Sequence, residues 1–143
     1  MTRVLTTEVD TLPELLRARA RELGDEPFVR DARSRWSYAE FAHRVAEVAA
    51  GLRNHGVGEG DVVGVVLPNS PHYLELWWAI LWIGATFNPV NPVLTAREAV
   101  GILSDSGARI GLIAPASDSA SCSTVPGEGQ GGHRRRRRER RRT

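Results

Sequence analysis

Residues 61–114 constrain the fold most, because apolar runs and helix-start signals alternate along this stretch of the chain. Val62–Leu67 is a near-continuous run of β-branched and aliphatic residues, which is typical of a strand buried on both faces. Thr86–Val90 and Arg109–Ala114 are two further short runs that predict strands. A helical pattern separates each strand from the next, so this stretch predicts an α/β fold with a parallel sheet covered by helices.

The two helices of this stretch have clear start and stop signals. Ser70 can cap a helix whose first residue is Pro71, where a missing N–H costs nothing, and this helix reaches Gly84. Thr95–Glu98 has the pattern of a capping box, and Gly107 marks the end of the helix that it opens.

The first helix is predicted to begin at a cap formed by Asp10 or Thr11 and to end before Gly24. Its leucines recur on one apolar face. Three arginines fall largely outside that face, and we expect all of them to be solvated: Arg17, Arg19 and Arg21.

Two short strands and a longer helix follow. The strands are predicted at Pro27–Arg30 and Arg35–Ser37, and the capping box Ser37–Glu40 opens a helix that reaches about Asn54. His43 and His55 fall on or beyond its exposed side, and without a second ligand at metal-binding spacing we expect neither to be functional.

The charge of the chain is unevenly distributed. Residues 1–132 contain eleven arginines and sixteen acidic residues, whereas residues 133–143 contain eight arginines and one glutamate. All nineteen basic residues are arginine, so the chain contains no lysine. The basic balance therefore belongs to the C-terminal tail rather than to the folded part.

Several protein classes are disfavoured by composition. The single cysteine, Cys122, excludes an intrachain disulfide and disfavours a metal cluster. The N-terminus lacks the basic start and apolar core of a signal peptide. The longest apolar run, Leu76–Ala85, is about half the length that a membrane span requires. We therefore expect a cytoplasmic protein without a membrane span.

The tail, residues 115–143, is expected to be disordered. Its first part is small, polar and rich in turn residues, and the adjacent arginines that follow repel one another. Gly127–Gly132 formally matches the dinucleotide-binding pattern G-x-G-x-x-G, but no predicted strand precedes it and the chain offers no acidic residue about twenty positions later. We expect no dinucleotide site there.

Seven motifs between residues 10 and 114 resemble, in the same order, the start of adenylate-forming enzymes, and most closely of acyl-CoA synthetases that act on fatty or aryl acids. They read W-S-Y-A-E-F, A-A-G-L, G-V-G-E-G-D-V-V, L-P-N-S, G-A-T-F-N-P-V-N-P, L-T-A-R-E and S-D-S-G-A-R. The resemblance implies that residues 10–114 form part of the N-terminal AMP-binding domain of this superfamily. It also implies a parent activity in which ATP and a carboxylic acid give an acyl-adenylate, from which CoA then displaces AMP.

The parts that perform this chemistry in the family have no match in the chain. The family uses a Ser/Thr/Gly-rich loop with a lysine for the phosphates, a glutamate for magnesium, an aspartate for the ribose and a second lysine in a C-terminal domain. We therefore expect no catalytic, cofactor-binding or metal-binding residues in this chain, and no ATP, Mg or CoA bound to it. The matched segment resembles scaffold that precedes the catalytic motifs, as a truncated or frameshifted gene would leave it.

A different class of function remains open. Eight arginines could bind nucleic acid or another polyanion without sequence specificity: Arg134, Arg135, Arg136, Arg137, Arg138, Arg140, Arg141 and Arg142.

Two further expectations concern exposed surface. The aromatic residues Tyr73, Trp77, Trp78 and Trp82 are expected to pack the helix onto the sheet rather than to line an acyl pocket, with one of the adjacent tryptophans facing outward. If the sheet ends at the last predicted strand, its open edge is expected to promote self-association.

Overall fold

A computed structural model of the protein describes residues 9–113 and 123–126. Its helices are α1 (Leu12–Leu23), α2 (Tyr38–Asn54), α3 (Pro71–Trp82) and α4 (Ala96–Asp105). Its strands are β1 (Pro27–Arg30), β2 (Arg35–Ser37), β3 (Val62–Val66), β4 (Thr86–Pro89), β5 (Ile110–Ile113) and β6 (Ser123–Pro126).

Each helix begins where a capping side chain was expected. The hydroxyls of Thr11, Ser37, Ser70 and Thr95 each accept a hydrogen bond from the backbone N–H three residues later. In α2 and α4 the capping box is complete, because the third-position glutamate also accepts the N–H of the cap residue. Short-range polar chemistry therefore sets where the four described helices start.

The strands form two sheets. β1 and β2 pair antiparallel, and the larger sheet has the order β4-β3-β5-β6. β3 is parallel to both β4 and β5, which confirms the predicted α/β fold with a parallel sheet. Because β4 and β5 lie on opposite sides of β3, the connections through α3 and α4 run in opposite directions across the sheet. Right-handed crossovers then place these two helices on opposite faces.

The two faces of the sheet have separate cores. Val63 and Val65 of β3 point into the main core, which α1, α2 and α3 cover. Val66 points to the other face and packs with Ala99 and Leu103 of α4. This alternation within one strand explains why β3 is almost entirely apolar.

Two features depart from the sequence-based expectations in this sheet. β3, β4 and β5 are each shorter than the predicted runs by one or two residues. The pattern predicts no element after Ala114, whereas β6 lies there and pairs antiparallel with β5. Among the described strands, β6 rather than β5 is therefore the outer one on this side. The domain boundary at residue 114 and the disorder of the rest of the tail stay predictions.

The expectation of three solvated arginines in α1 is wrong for one of them. Arg17 and Arg21 are exposed, but Arg19 is only 6% exposed and pairs with Glu22 one turn later in α1. The guanidinium of Arg17 lies 3.8 Å from the ring centre of Trp82 in α3. Because α1 contacts both α2 and α3, its neighbours cover a wider stripe than its leucines alone indicate.

Among the described helices, none is long and apolar enough to cross a membrane.

Candidate functional site

A groove of about 510 Å³ lies at the carboxyl ends of β3 and β4. One wall is the segment Leu67–Asn69, which follows β3, and the opposite wall is Pro89–Pro92, at the end of β4 and beyond it. Tyr73 of α3 completes the lining. The groove is therefore built from two of the motifs noted above, L-P-N-S and N-P-V-N-P.

The position of the groove follows from the topology. The chain leaves β3 towards α3 on one face of the sheet and leaves β4 towards α4 on the other face. The two loops consequently separate, and in open α/β sheets such a crevice is the usual place for a ligand. Prolines fix both walls, because Pro68, Pro89 and Pro92 restrict the backbone beside the strand ends.

Two amide side chains supply the polar groups of the groove. The Oδ1 atom of Asn91 accepts the N–H of Val93 at 3.0 Å, which holds the loop in a turn. Asn69 is exposed, and its amide has no hydrogen-bond partner among the described residues. Sequence reasoning did not single out either residue, although Asn91 directly follows one predicted strand and Asn69 lies two residues after another, and the carboxyl ends of these strands meet at one edge.

The groove does not fit a magnesium ion or a triphosphate. Its eight lining residues include no charged side chain. Elsewhere in residues 9–113, no group of three or more His, Cys, Asp or Glu side chains is arranged to hold a metal. These side chains could neither neutralise phosphate groups nor supply charged ligands to Mg²⁺, so they support no step of phosphate chemistry.

Three aromatic residues of α3, Tyr73, Trp78 and Trp82, pack against the main core as expected. Tyr73 meets the ring of Phe87 edge-on at 5.6 Å, and Trp78 meets Phe41 at 6.2 Å in the main core. Trp77 and Trp78 are both half-buried, but of the two only Trp78 packs against the main core. Trp77 instead contacts Phe87, at 6.0 Å between ring centres.

A buried carboxylate in α3 is the main polar feature that sequence reasoning missed. The side chain of Glu75 is 7% exposed, and its Oε1 atom lies 3.0 Å from Nε of Arg44 in α2. Its Oε2 atom lies 3.1 Å from Nδ1 of His72. Arg44 also lies over the ring of Trp36, at 4.3 Å. A single charge inside an otherwise apolar helix was the signal that could have revealed this cluster.

The histidines of α2 and its end are placed as expected. His43 is exposed and lies 3.5 Å from Glu47 in the same helix, and His55 approaches the carbonyl of Gly51 at 2.9 Å. Neither side chain joins the groove. Cys122, the glycine-rich match at 127–132 and the arginines of the tail lie outside the described residues.

Two exposed carboxylates have a lowered pKa, and both are structural. The N–H groups of Arg33 and Ser34 lower the pKa of Asp31 in the turn between β1 and β2. The hydroxyl of Thr95, followed by its N–H, lowers the pKa of Glu98 in the second capping box. Hydrogen bonds to a carboxylate favour its charged form, which is the cause in both cases.

The chain is similar in sequence to enzymes that make CoA thioesters. It is 41% identical over 97 residues to a feruloyl-CoA synthase from an Amycolatopsis species, an alignment that covers 68% of this chain and 20% of the relative. The chain spans 19% to 20% of the length of the first curated relatives that it matches.

Two solved structures share the fold. A fatty acyl CoA synthetase from Mycobacterium tuberculosis is 29% identical and superposes with a TM-score of 0.68, covering 71% of this chain and 20% of that one. The N-terminal subdomain of NpsA from Klebsiella oxytoca is 24% identical and superposes with a TM-score of 0.71. This match covers 77% of this chain and 29% of that one.

These likenesses confirm the resemblance to the N-terminal part of acyl-CoA synthetases and the predicted fold class. The family of AMP-binding enzymes matches residues 16–138, which is most of the sequence. The chain belongs to the AMP-binding enzyme family.

Proposed function

We propose that this chain forms the first part of the AMP-binding domain of an enzyme that joins a carboxylic acid to CoA with the use of ATP. The observation that carries the proposal is the uninterrupted order of acyl-CoA synthetase motifs through residues 10–114, on a fold that superposes on such enzymes. The class of acid that the enzyme uses is proposed to be an aryl or a fatty acid. Similarity to the feruloyl-CoA synthase supports an aryl acid, and similarity to the fatty acyl CoA synthetase supports a fatty acid.

The contribution of the chain to that enzyme is structural. The groove between Leu67–Asn69 and Pro89–Pro92 is lined by uncharged side chains, two of them amides, so it suits an uncharged part of a ligand or of the protein. The phosphate chemistry needs cations, and those must come from elsewhere in the enzyme.

Taken alone, the 143 residues are proposed to be inactive and to bind no ATP, Mg or CoA. The absence of lysine supports this, because the family resemblance assigns two essential roles to lysines. ATP–pyrophosphate exchange by the purified chain, with ferulate and a long-chain fatty acid as trial acids, should stay at background. Exchange above that of a heat-denatured sample would overturn the statement.

A chimera tests the scaffold role separately. Residues 10–113 of this chain would replace the aligned segment of the Amycolatopsis feruloyl-CoA synthase, and feruloyl-CoA formation would be measured. We expect the chimera to retain activity, whereas a chimera with Gly64→Leu, which fills the space taken by Leu103, should lose it. A well-folded chimera without activity would contradict the scaffold role.

The second candidate function is polyanion binding by the arginine-rich tail. Eight arginines lie within nine positions, at residues 134–142. If all eight engage duplex DNA, the logarithm of the binding constant should fall with log[salt] at a slope of about −7. Salt-insensitive binding, or binding unchanged after deletion of residues 133–143, would remove this candidate. A cytoplasmic location likewise stays a proposal, to be tested by imaging a tagged chain.

A further inference from the structure

The outer face of α4 has an unusual combination of exposed apolar residues and unpaired charges. Three of the four large apolar side chains that are exposed in the described residues lie in α4 or just before it: Val93, Val100 and Ile102. Their exposed fractions are 87%, 52% and 41%. Arg97 and Asp105 are also exposed, and neither has an ion-pair partner within residues 9–113.

The two charged residues lie at equal distances from Gly101 in one row along α4, and this row of Arg97, Gly101 and Asp105 is called the ridge. Arg97, Gly101 and Asp105 are spaced by four and therefore lie one above another, away from the buried Ala99 and Leu103. Gly101 is the midpoint, with each charged residue about 6 Å away along the helix axis. A Cβ atom placed on Gly101 would meet nothing within 4 Å, so the centre of the ridge is open.

Both charges oppose the helix macrodipole. Arg97 lies in the first turn of α4, where the partial positive charge of the helix disfavours a cation, and Asp105 is the last residue, where an anion is disfavoured. Within a single copy of the chain, α4 is therefore less stable with Arg97 near its start and Asp105 at its end than it would be with the two charges exchanged. A partner that presents the opposite order of charge would compensate both residues.

We propose that α4 is the contact surface of a homodimer, with a second copy of this chain as the occupant. Two α4 helices packed antiparallel about a twofold axis at Gly101 place each Arg97 opposite the partner's Asp105. The absence of a side chain at Gly101 allows the helices to approach closely. Val100 and Ile102 flank the ridge and lose exposed apolar area in the contact. The surface is self-complementary, as a twofold interface requires.

Charge reversal tests the pairing. In sedimentation velocity of the full chain at about 0.05 M salt, we expect a monomer–dimer equilibrium that weakens at about 0.5 M, because salt screens the ion pairs. Arg97→Asp or Asp105→Arg should each raise the dissociation constant by about tenfold or more, since like charges then face each other. The double variant Arg97→Asp/Asp105→Arg should restore the dimer. Each substitution favours the helix dipole, so loss of α4 would not explain a lost dimer.

The matched control is Arg53→Asp, which makes the same change of charge on α2 and should leave association unchanged. A monomer at all concentrations, a dimer indifferent to both single reversals, or failure of the double variant to restore association would overturn the proposal.

A cross-link tests the geometry independently. In a Cys122→Ser background, Gly101→Cys brings two thiols together on the axis and should give a disulfide-linked dimer under mild oxidation. Gly51→Cys, on a helix outside the proposed contact, should not. Equal cross-linking at both positions would contradict a contact centred on Gly101.

Discussion

The guanidinium of Arg109 lies 3.2 Å from Oδ2 of Asp61 and thereby joins two motifs that are 48 positions apart in the sequence. The same carboxylate accepts the N–H of Gly58 at 2.8 Å, so it also closes the turn before β3. The backbone N–H of Arg109 bonds in addition to the carbonyl of Val62. One ion pair therefore ties the loop that enters the central strand to the residue that precedes β5.

Substitutions at Asp61 should separate its two roles. Asp61→Asn keeps an acceptor for the Gly58 N–H and loses only a partly exposed ion pair, so we expect a loss of unfolding free energy below about 1 kcal/mol. Asp61→Ala loses both interactions and should cost about 1–2 kcal/mol. Urea unfolding measures both values. Equal losses would show that the turn hydrogen bond contributes nothing.

Gly64 should not tolerate a methyl group. A Cβ atom built there would lie 1.9 Å from Cδ2 of Leu103, so the buried Leu103 side chain would have to leave its position or β3 and α4 would have to move apart. We expect Gly64→Ala to destabilise the chain by about 1–3 kcal/mol. Adding Leu103→Ala should recover part of this loss despite the smaller core, as a double-mutant cycle would show.

The control for this prediction is Gly51→Ala in α2, where a new Cβ atom has no neighbour within 4 Å and the chain should be slightly more stable. Similar effects of the two alanine substitutions would mean that backbone propensity, rather than the close approach of Leu103, determines the result.

The Arg44–Glu75 pair, in which the carboxylate is buried and the Arg44 side chain is 36% exposed, should destabilise the chain when Arg44 alone is removed and cost less when both residues are replaced. Arg44→Met leaves the Glu75 carboxylate buried with only His72 beside it, and we expect a loss of about 3 kcal/mol. The double variant Arg44→Met/Glu75→Met removes both charges and should be more stable than Arg44→Met alone. Chemical unfolding of the three proteins decides this. A double variant less stable than the single one would contradict the prediction.

The contribution of Glu98 to stability should depend on pH in a defined direction. Its pKa is lowered in the folded chain, so its stabilising effect is present above the pKa of the unfolded state and is lost as the pH falls through the folded value. The difference in unfolding free energy between wild type and Glu98→Ala should therefore be largest at neutral pH and shrink in acid. Glu98→Gln cannot titrate, so its difference from Glu98→Ala should stay constant over the same range.

Much of the secondary structure could be predicted because its signals are local. The capping hydroxyls of Ser37, Ser70 and Thr95 act within one helical turn, and each predicted helix begins at one of them or at Thr11. Gly107, with φ of 66°, ends the turn after α4 as expected from its sequence position.

Burial was predicted less well, because it depends on neighbours that are distant in sequence. Periodicity identifies the apolar side of α1 but not the width that α2 and α3 cover, which is why Arg19 is buried. The burial of Glu75 depends on Arg44, which is 31 positions away on another helix. No local pattern contains that information.

The sequence by itself determined the family, the order of the strands and helices as far as β5 and the places where the helices begin, since these depend on motifs and on contacts within a few residues. Only the tertiary structure decided that the loops after β3 and β4 form one groove, that Gly64 makes room for Leu103 and that Arg97 and Asp105 share an exposed ridge with Val100 and Ile102 beside it. The physical reason is that packing and topology, rather than local propensity, determine which distant residues meet and which faces stay uncovered.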